Sequence, residues 1–361
     1  MDVLFFKVWK NIFLKRLIYL HLKRFIGPNQ KFNSRDEYIS HPESYYFTNV
    51  TLNYNEINLN YLCDSIKVLQ FGHSFDREIK AGFLPHSIKT LTFGNKFNRA
   101  FKEGSIPESV ETLSFGHDFN TLLKPGDVPR LVKRLTFGES FNKIINEDVL
   151  PQSITSLTFG SDFNQPLSQG SIPPSVEKLT FGYHFNQKLQ PGNIPPSVKE
   201  LTFGFGFDQD LKQGDIPVSV QKLIFGDNFN KKIKKGDIPA SVKELRFGDN
   251  FNQELEAGDL QDSIEILVFG GLNKPLKPGV IPQSVKKLSF GSFFNQILEP
   301  GDISTSVKEL SFGYYFNQPI RSGVLPPSLE ILEFESDFNR ELLTFDTSSV
   351  KTIRIGNKKI N

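Results

Sequence analysis

The chain has 361 residues, and its 42 lysines and arginines against 40 aspartates and glutamates leave a net charge of only +2. This near-neutral charge removes the electrostatic argument for a nucleic-acid partner, and a single cysteine, Cys63, excludes an internal disulfide and disfavours a secreted, disulfide-stapled scaffold. A hydrophobic fraction of 38% excludes an intrinsically disordered chain, while 36 phenylalanines beside one tryptophan require an explanation in the sequence pattern.

The first 28 residues form a segment of their own. Apolar residues recur at helical spacing over residues 2–26, where six lysines and arginines against one aspartate give a local charge of +5, and Gly27-Pro28 ends the pattern. We predict a basic amphipathic helix over residues 1–28 that caps the apolar end of the following repeats, with peripheral membrane contact by residues 2–26 as an alternative. Cations interrupt every apolar run, which disfavours a transmembrane span and a signal peptide, so we expect a cytoplasmic protein.

Residues 29–52 are rich in asparagine and tyrosine, and we predict that they form an irregular connector. Beyond them, residues 53–356 repeat with a period of 22 residues, which accounts for the excess of phenylalanine. One column of the repeat is Phe-Gly, and a second column, Phe-Asn or Phe-Asp, lies four residues further along. About 12 regular repeats are bounded by degenerate coils, and residues 357–361 form a tail.

Each repeat predicts one short strand and one extended return. Within residues 163–182, Leu179 and Phe181 alternate with polar residues as in a half-buried strand, and Pro173-Pro174 exclude a helix. One such repeat cannot bury its own apolar side, so successive repeats must stack with their strands in one parallel sheet. We therefore predict an all-β repeat solenoid with both Phe columns inside. The Asn column should turn inward, where its amides can bind backbone groups of the adjacent coil.

The unit Phe-Asn-x-x-Leu-x-x-Gly-x-Ile-Pro-x-Ser-Val-x-x-Leu-x-Phe-Gly resembles the FNIP repeat, a short relative of the leucine-rich repeat. The resemblance implies a right-handed, leucine-rich-repeat-like solenoid and a role in protein–protein interaction, and it implies no catalytic residue. Some FNIP-repeat proteins carry an F-box before the repeats. A degenerate F-box-like segment is therefore a third alternative for the N-terminus, and it would make the chain a substrate-recognition subunit of a ubiquitin ligase.

Motifs for catalysis, cofactors and metals are missing from the sequence. There is no His-Glu-x-x-His, no phosphate-binding Gly-x-x-x-x-Gly-Lys loop and no Gly-x-Ser-x-Gly elbow, and one cysteine cannot form a Cys-rich zinc site. We therefore predict a non-enzymatic protein without a cofactor or a metal. An enzyme would need a pocket at a repeat irregularity such as residues 270–274, where one residue and a phenylalanine are lost.

Two sets of surface positions are candidates for binding a protein or peptide. On the outward face of the strands, charge alternates from coil to coil, which predicts cross-strand pairing or a polar docking face. This charged column consists of Lys178, Glu200, Lys222, Glu244 and Arg246. After Phe-Gly, aromatic residues occupy positions that other repeats fill with polar residues, and exposed aromatics of this kind are typical binding hot spots. This aromatic rim consists of Tyr183, His184, Phe205, Phe293, Tyr314 and Tyr315.

These observations together predict a monomeric, non-enzymatic scaffold that binds a protein partner through the surface of its solenoid. The ubiquitin-ligase alternative differs in one respect, because it requires residues 1–50 to recruit an adaptor. The sequence leaves open whether the sheet side or the proline side of the solenoid is the working face.

Overall fold

The computed structural model of the protein describes residues 29–56, 59–335, 338–344, 350–356 and 358–359. The predicted helix over residues 1–28 lies outside these residues. The chain divides into two compact units, of which the first comprises Met1–Lys143 and Val149–Ile154 and the second comprises Ile144–Asp148 and Thr155–Asn361. Each unit is a β-solenoid in which a short strand recurs about every 22 residues and pairs in parallel with its neighbour, as predicted.

The sheet of the first unit runs in chain order and is parallel throughout. Its described strands are β1 (Gln30–Phe32), β2 (Asn49–Leu52), β3 (Val68–Phe71), β4 (Thr90–Thr92), β5 (Thr112–Ser114) and β6 (Arg134–Thr136). Between β1 and β2 lie a 3-10 helix (Ser44–Tyr46) and α1 (Arg35–Ser40), which is the only α-helix among the described residues. Ser34 caps α1, because its Oγ accepts a hydrogen bond from the backbone N–H of Glu37 at 3.1 Å.

The structure corrects the expectation that residues 29–52 are an irregular connector. They contain β1, α1 and β2, and β2 pairs in register with β3, so that Val50 lies opposite Leu69 and Leu52 opposite Phe71. Both Val50 and Leu52 are fully buried. The solenoid therefore starts before the Phe-Gly repeat does, because the free edge of β3 needs backbone partners and any alternating apolar strand can supply them.

The parallel sheet of the second unit likewise follows chain order. Its described strands are β7 (Ser156–Thr158), β8 (Lys178–Thr180), β9 (Glu200–Thr202), β10 (Lys222–Ile224), β11 (Glu244–Phe247), β12 (Ile266–Phe269), β13 (Lys287–Phe290), β14 (Glu309–Phe312), β16 (Ile331–Phe334) and β18 (Thr352–Ile355). A separate pair joins β15 (Ile320–Arg321) to β17 (Leu343–Thr344), which follows a 3-10 helix (Arg340–Leu342). Part of the expected tail forms β19 (Lys358–Lys359), which pairs antiparallel with β18 and supplies partners to its outer edge.

Both Phe columns lie in the core, as predicted. Within one coil the ring of Phe93 stacks on that of Phe97 with 4.1 Å between centroids, and between coils it stacks on Phe115 at 5.6 Å. The leucine at the centre of each strand, such as Leu201, is fully buried beside them. A buried phenylalanine removes roughly 150–250 Å² from water, so these two columns supply a large share of the hydrophobic stabilisation.

The Asn column joins adjacent coils, although it does not turn inward. The Oδ1 atom of Asn186 accepts a hydrogen bond from the backbone N–H of Asp208 at 2.9 Å, and Asn252 Oδ1 accepts one from the backbone N–H of Asn273 at 2.9 Å. The column is half-buried or exposed, since the rings of the preceding phenylalanines fill the interior. The predicted bond to the neighbouring backbone is therefore confirmed, and the predicted inward orientation is wrong.

Candidate protein-binding surfaces

Strands β8–β11 carry the charged column on their outward face, with neighbouring strands in register. Lys178 Nζ lies 3.1 Å from Glu200 Oε2, and Lys222 Nζ lies 3.1 Å from Glu244 Oε1. Arg246 Nε donates to the same oxygen of Glu244 at 2.6 Å. All five predicted residues therefore lie on neighbouring strands, and each has an opposite charge within the column.

Glu244 is the most enclosed charge of the column. Burial by itself raises the pKa of its carboxyl group, but hydrogen bonds from Arg246 and Lys222 outweigh burial and hold the pKa below its ordinary value. The other pair, Lys178 with Glu200, is open to solvent, and exposed ion pairs contribute only about 0–1 kcal/mol. The column thus satisfies its own charges.

The aromatic rim forms two clusters in the second unit, each joining two coils. In the first cluster, Tyr183 and Phe205 stack with 4.5 Å between centroids and 4° between ring planes. His184 meets Tyr183 edge-on at 4.8 Å. Tyr183 is 47% exposed, so the stacked pair presents an apolar surface to solvent next to an imidazole.

The second cluster repeats this arrangement further along the unit. Phe293 and Tyr315 stack at 5.9 Å, and Tyr314 meets Tyr315 edge-on at 5.1 Å. Phe293 is 50% exposed and Tyr315 is 55% exposed. The six rim residues therefore form two compact groups.

A groove on the outward sheet face of the second unit was not predicted. It has a volume of about 450 Å³, crosses β9–β12 and includes Glu200, Lys222 and Glu244 of the charged column. Its lining residues are Lys199, Glu200, Gln221, Lys222, Lys243, Glu244, Glu265 and Ile266. Four of them recur at the 22-residue period one position before the charged column, which is the sequence signal that could have placed them on one surface.

The first unit has a larger polar groove of about 620 Å³, which was also not predicted. It is lined in part by Lys31, Thr51, Gln70, His73 and His117. Thr51 Oγ1 accepts a hydrogen bond from Asn29 Nδ2 at 2.6 Å, so part of the groove is built by the segment expected to be an irregular connector. Recognising it from sequence would have required the assignment of β1 and β2.

Neither groove is lined by residues 270–274, the repeat irregularity at which an enzyme would need its pocket. Across the described part of the chain, no group of three or more histidine, cysteine, aspartate or glutamate side chains is placed to hold a metal ion. Within the same residues, no helix has the length and apolar character that a membrane crossing demands.

Comparisons with known proteins agree with this architecture. The profile of a family described as FNIP Repeat matches residues 53–96, 97–126, 119–162, 163–206, 207–250, 251–293 and 294–345. The chain is similar to the crystal structure of CroV588, described as a novel circular LRR protein structure. The match covers 90% of this chain and 48% of the CroV588 chain, with 35% identity and a TM-score of 0.81. The chain therefore spans about half the length of this solved relative.

A second solved structure, that of the pneumococcal vaccine antigen PcpA, aligns with 91% of this chain and 82% of that chain. Its identity is 15% and its TM-score is 0.17, and these values are too low to indicate a shared fold. No curated protein sequence matches the chain significantly.

Proposed function

Because the chain belongs to the FNIP-repeat family, we propose that it is a non-enzymatic scaffold that binds a protein partner through the surface of its solenoid. FNIP and leucine-rich-repeat-like solenoids are typically non-enzymatic. Stacked repeats present long, continuous surfaces, and the residues that differ from coil to coil on those surfaces give specificity.

The observation that carries the proposal is the exposure of the aromatic rim. Tyr183, Phe293 and Tyr315 are each about half exposed, in positions where other coils carry serine, aspartate or asparagine. The repeat does not need an aromatic side chain there, since coils without one form the same strands and stacks. Exposed tyrosine and phenylalanine with no structural requirement are the side chains that dominate binding energy at protein interfaces.

The charged column has a secondary role in this proposal. Its cations and carboxylates already neutralise each other, so contact with a partner would exchange existing ion pairs for new ones at little gain. We assign it to the orientation of the partner, because complementary charges act mainly on encounter and register.

Affinity capture from native lysate followed by mass spectrometry tests the proposal. The rim variant combines Tyr183→Ser, Phe205→Asp, Phe293→Asn and Tyr315→Asn, each copied from the same position of another repeat. The control is a column variant with Lys178, Glu200, Lys222 and Glu244 all changed to Ala. Circular dichroism first establishes that both variants are folded.

We expect the rim variant to lose a set of proteins that the wild type retains and that the column variant recovers in reduced amount, because the column orients the partner. Recovery of the same proteins by all three chains would refute binding through the rim. An adaptor of the ubiquitin system in the retained set would support the alternative in which residues 1–50 recruit a ligase.

A further inference from the structure

The outward face of the sheet changes character at β10–β12. In β4–β9 every outward residue is serine, threonine or charged, whereas Ile224 on β10 and Ile266 and Val268 on β12 are aliphatic and only half-buried. The fold does not require them, since Thr90 and Thr92 occupy the equivalent positions of β4 and pair in the same parallel register. Aliphatic side chains grouped on a solvent-facing surface without a structural requirement indicate a surface that another molecule covers.

Lys243, which makes no ion pair with the residues described, borders these aliphatic residues. The charged residues that line the 450 Å³ groove are all within the described part of the chain, and among them only Lys243 makes no ion pair. Glu265, one coil away, binds Lys286 at 3.2 Å instead, and Lys199, in the same column, binds Glu177 at 3.0 Å. Lys243 is therefore an exposed lysine outside these ion pairs, and it can pair with an incoming carboxylate without breaking one of them.

The register of the strands fixes the spacing between the cation and the aliphatic residues. Ile266 on β12 lies opposite Glu244 on β11, and Lys243 immediately precedes Glu244. Lys243 lies in the bend before β11, and its backbone carbonyl oxygen accepts a hydrogen bond from the N–H of Ile266 at 3.0 Å, so the two side chains start from neighbouring coils roughly 6 Å apart. In an extended peptide, side chains two residues apart point the same way and are about 6.6 Å apart, which matches this separation.

We propose that this groove binds an extended segment of a partner protein in which an acidic residue lies two positions from an aliphatic residue. The carboxylate pairs with Lys243, and the aliphatic side chain packs on Ile266 and Val268. This inference rests on the proposed function, because it names the chemistry of a segment that the partner presents. It assigns that segment to the sheet face and not to the aromatic rim.

A selection from a phage-displayed library of random heptapeptides against the full chain tests this inference. Enriched peptides are then synthesised with a fluorescent label, and their dissociation constants are measured by fluorescence polarisation. Two variants remove the proposed contacts: Lys243→Gln, which copies Gln221, and Ile266→Thr with Val268→Thr, which copies β4. The matched control is Lys308→Gln, which removes a lysine of the same column that lies outside the groove and pairs with Glu330 at 3.4 Å.

We expect enriched peptides to carry Asp or Glu two residues from Val, Ile or Leu. Their affinity should fall at least tenfold in the variant Ile266→Thr with Val268→Thr and should not change measurably in Lys308→Gln. In Lys243→Gln it should fall about threefold to fivefold, because Lys243 is exposed and exposed ion pairs are weak. Raising the salt concentration should weaken binding to the wild type and leave binding to Lys243→Gln almost unchanged, because the ion pair is screened.

Absence of the acidic–aliphatic pattern among enriched peptides, or equal affinities for wild type and Lys243→Gln, would overturn the inference. The rim variant separates this failure from that of the proposed function. It should bind the peptides like the wild type, because its substitutions lie outside the groove. If no such peptide binds but capture still depends on the rim, only the sheet-face site is refuted. If peptides bind the groove but capture does not depend on the rim, binding of the partner through the rim is refuted.

Discussion

Gly182 shows at the residue scale why glycine follows the strand phenylalanine in most coils. A β-carbon there would lie 1.8 Å from the carbonyl oxygen of Gly160 in the preceding coil, so any side chain would force neighbouring coils apart. Gly258 is glycine for a different reason, since its φ is +90° and nothing lies within 4 Å of the position of its β-carbon. Gly182 is therefore required by the close approach of two coils, and Gly258 is required by its left-handed backbone conformation.

Replacement by alanine separates these two constraints. Gly182→Ala should reduce the free energy of unfolding by about 3 kcal/mol, because backbone atoms cannot move aside as a flexible side chain would. Gly258→Ala should cost only about 1–2 kcal/mol, the strain of a left-handed residue with a β-carbon. Urea denaturation followed by circular dichroism measures both, and a milder effect at position 182 would contradict the close approach of the coils.

Asp237 gives a prediction about pH. Asp237 is 7% exposed, and its carboxylate accepts a hydrogen bond from the backbone N–H of Lys234 at 2.8 Å. Burial raises the pKa of Asp237 above its ordinary value, and the carboxylates of Asp215 and Asp259 in neighbouring coils add to the rise. The same position holds Asn193, whose Oδ1 accepts the equivalent bond without a charge.

A raised carboxyl pKa means that the folded chain binds a proton more tightly than the unfolded chain. The stability that this proton contributes is present below the unfolded pKa of about 3.9 and is lost as pH rises through the folded pKa. Asp237→Asn should therefore raise the thermal midpoint at pH 7 and change it less at pH 3. A lower midpoint for the variant at pH 7 would show that the charge of Asp237 stabilises the fold.

At the scale of elements, the Asn column acts as a ladder of side-chain to backbone hydrogen bonds between coils. Asn252→Ala should cost about 1 kcal/mol, because it leaves the backbone N–H of Asn273 without its acceptor. Asn252→Asp is the matched control. Asp208 accepts the equivalent backbone hydrogen bond in its own coil, and Lys231 lies 3.1 Å from its Oδ2. Lys274 occupies the same repeat position relative to Asn252 as Lys231 does relative to Asp208.

Urea denaturation of both variants measures this contribution. We expect Asn252→Asp to remain within a few tenths of a kcal/mol of the wild type, since the acceptor is retained. Equal losses for Ala and Asp would mean that the amide nitrogen, and not the oxygen that accepts the bond, matters at this position.

The elements also show how far the sequence could be interpreted. Alternation such as Leu179-x-Phe181 sets the strand positions, and the 22-residue period sets the parallel register, so β3–β14 followed from the pattern. β1 and β2 did not, because β2 is held by pairing with β3 and β1 by pairing with β2, and neither strand carries a Phe-Gly motif. The sequence also did not predict that Lys243, in the groove, lacks an ion pair with the described residues. Whether Glu265 pairs with Lys243 or with Lys286 depends on side-chain conformation.

At the scale of the whole molecule, the contacts between coils join a residue to one about 22 positions away. The strands pair at this spacing, and so do the asparagine bonds and the ion pairs of the charged column. Stability in such a chain is a sum of coil and nearest-neighbour contributions, and it is not shared evenly across a unit. A local defect should therefore remain local.

Hydrogen exchange measured by mass spectrometry tests this locality in the variant Gly182→Ala. We expect faster amide exchange in the coils of β7–β9 and an effect that declines with each further coil, because each repeat contacts only its neighbours. A uniform acceleration over the second unit would instead show that the unit unfolds as one cooperative body.

The asparagine ladder has a consequence for the ancestry of the chain. Asn120 accepts from the coil after it and donates its own N–H to Asn98 in the coil before it, so each coil presents the same pair of partners at its two sides. A tandem duplication of the codons for one repeat would therefore insert a coil that both neighbours accept at once. Loss of one repeat by unequal recombination would likewise close without an unmatched edge. Repeat number can thus drift between relatives while the sequence of each remaining coil is preserved.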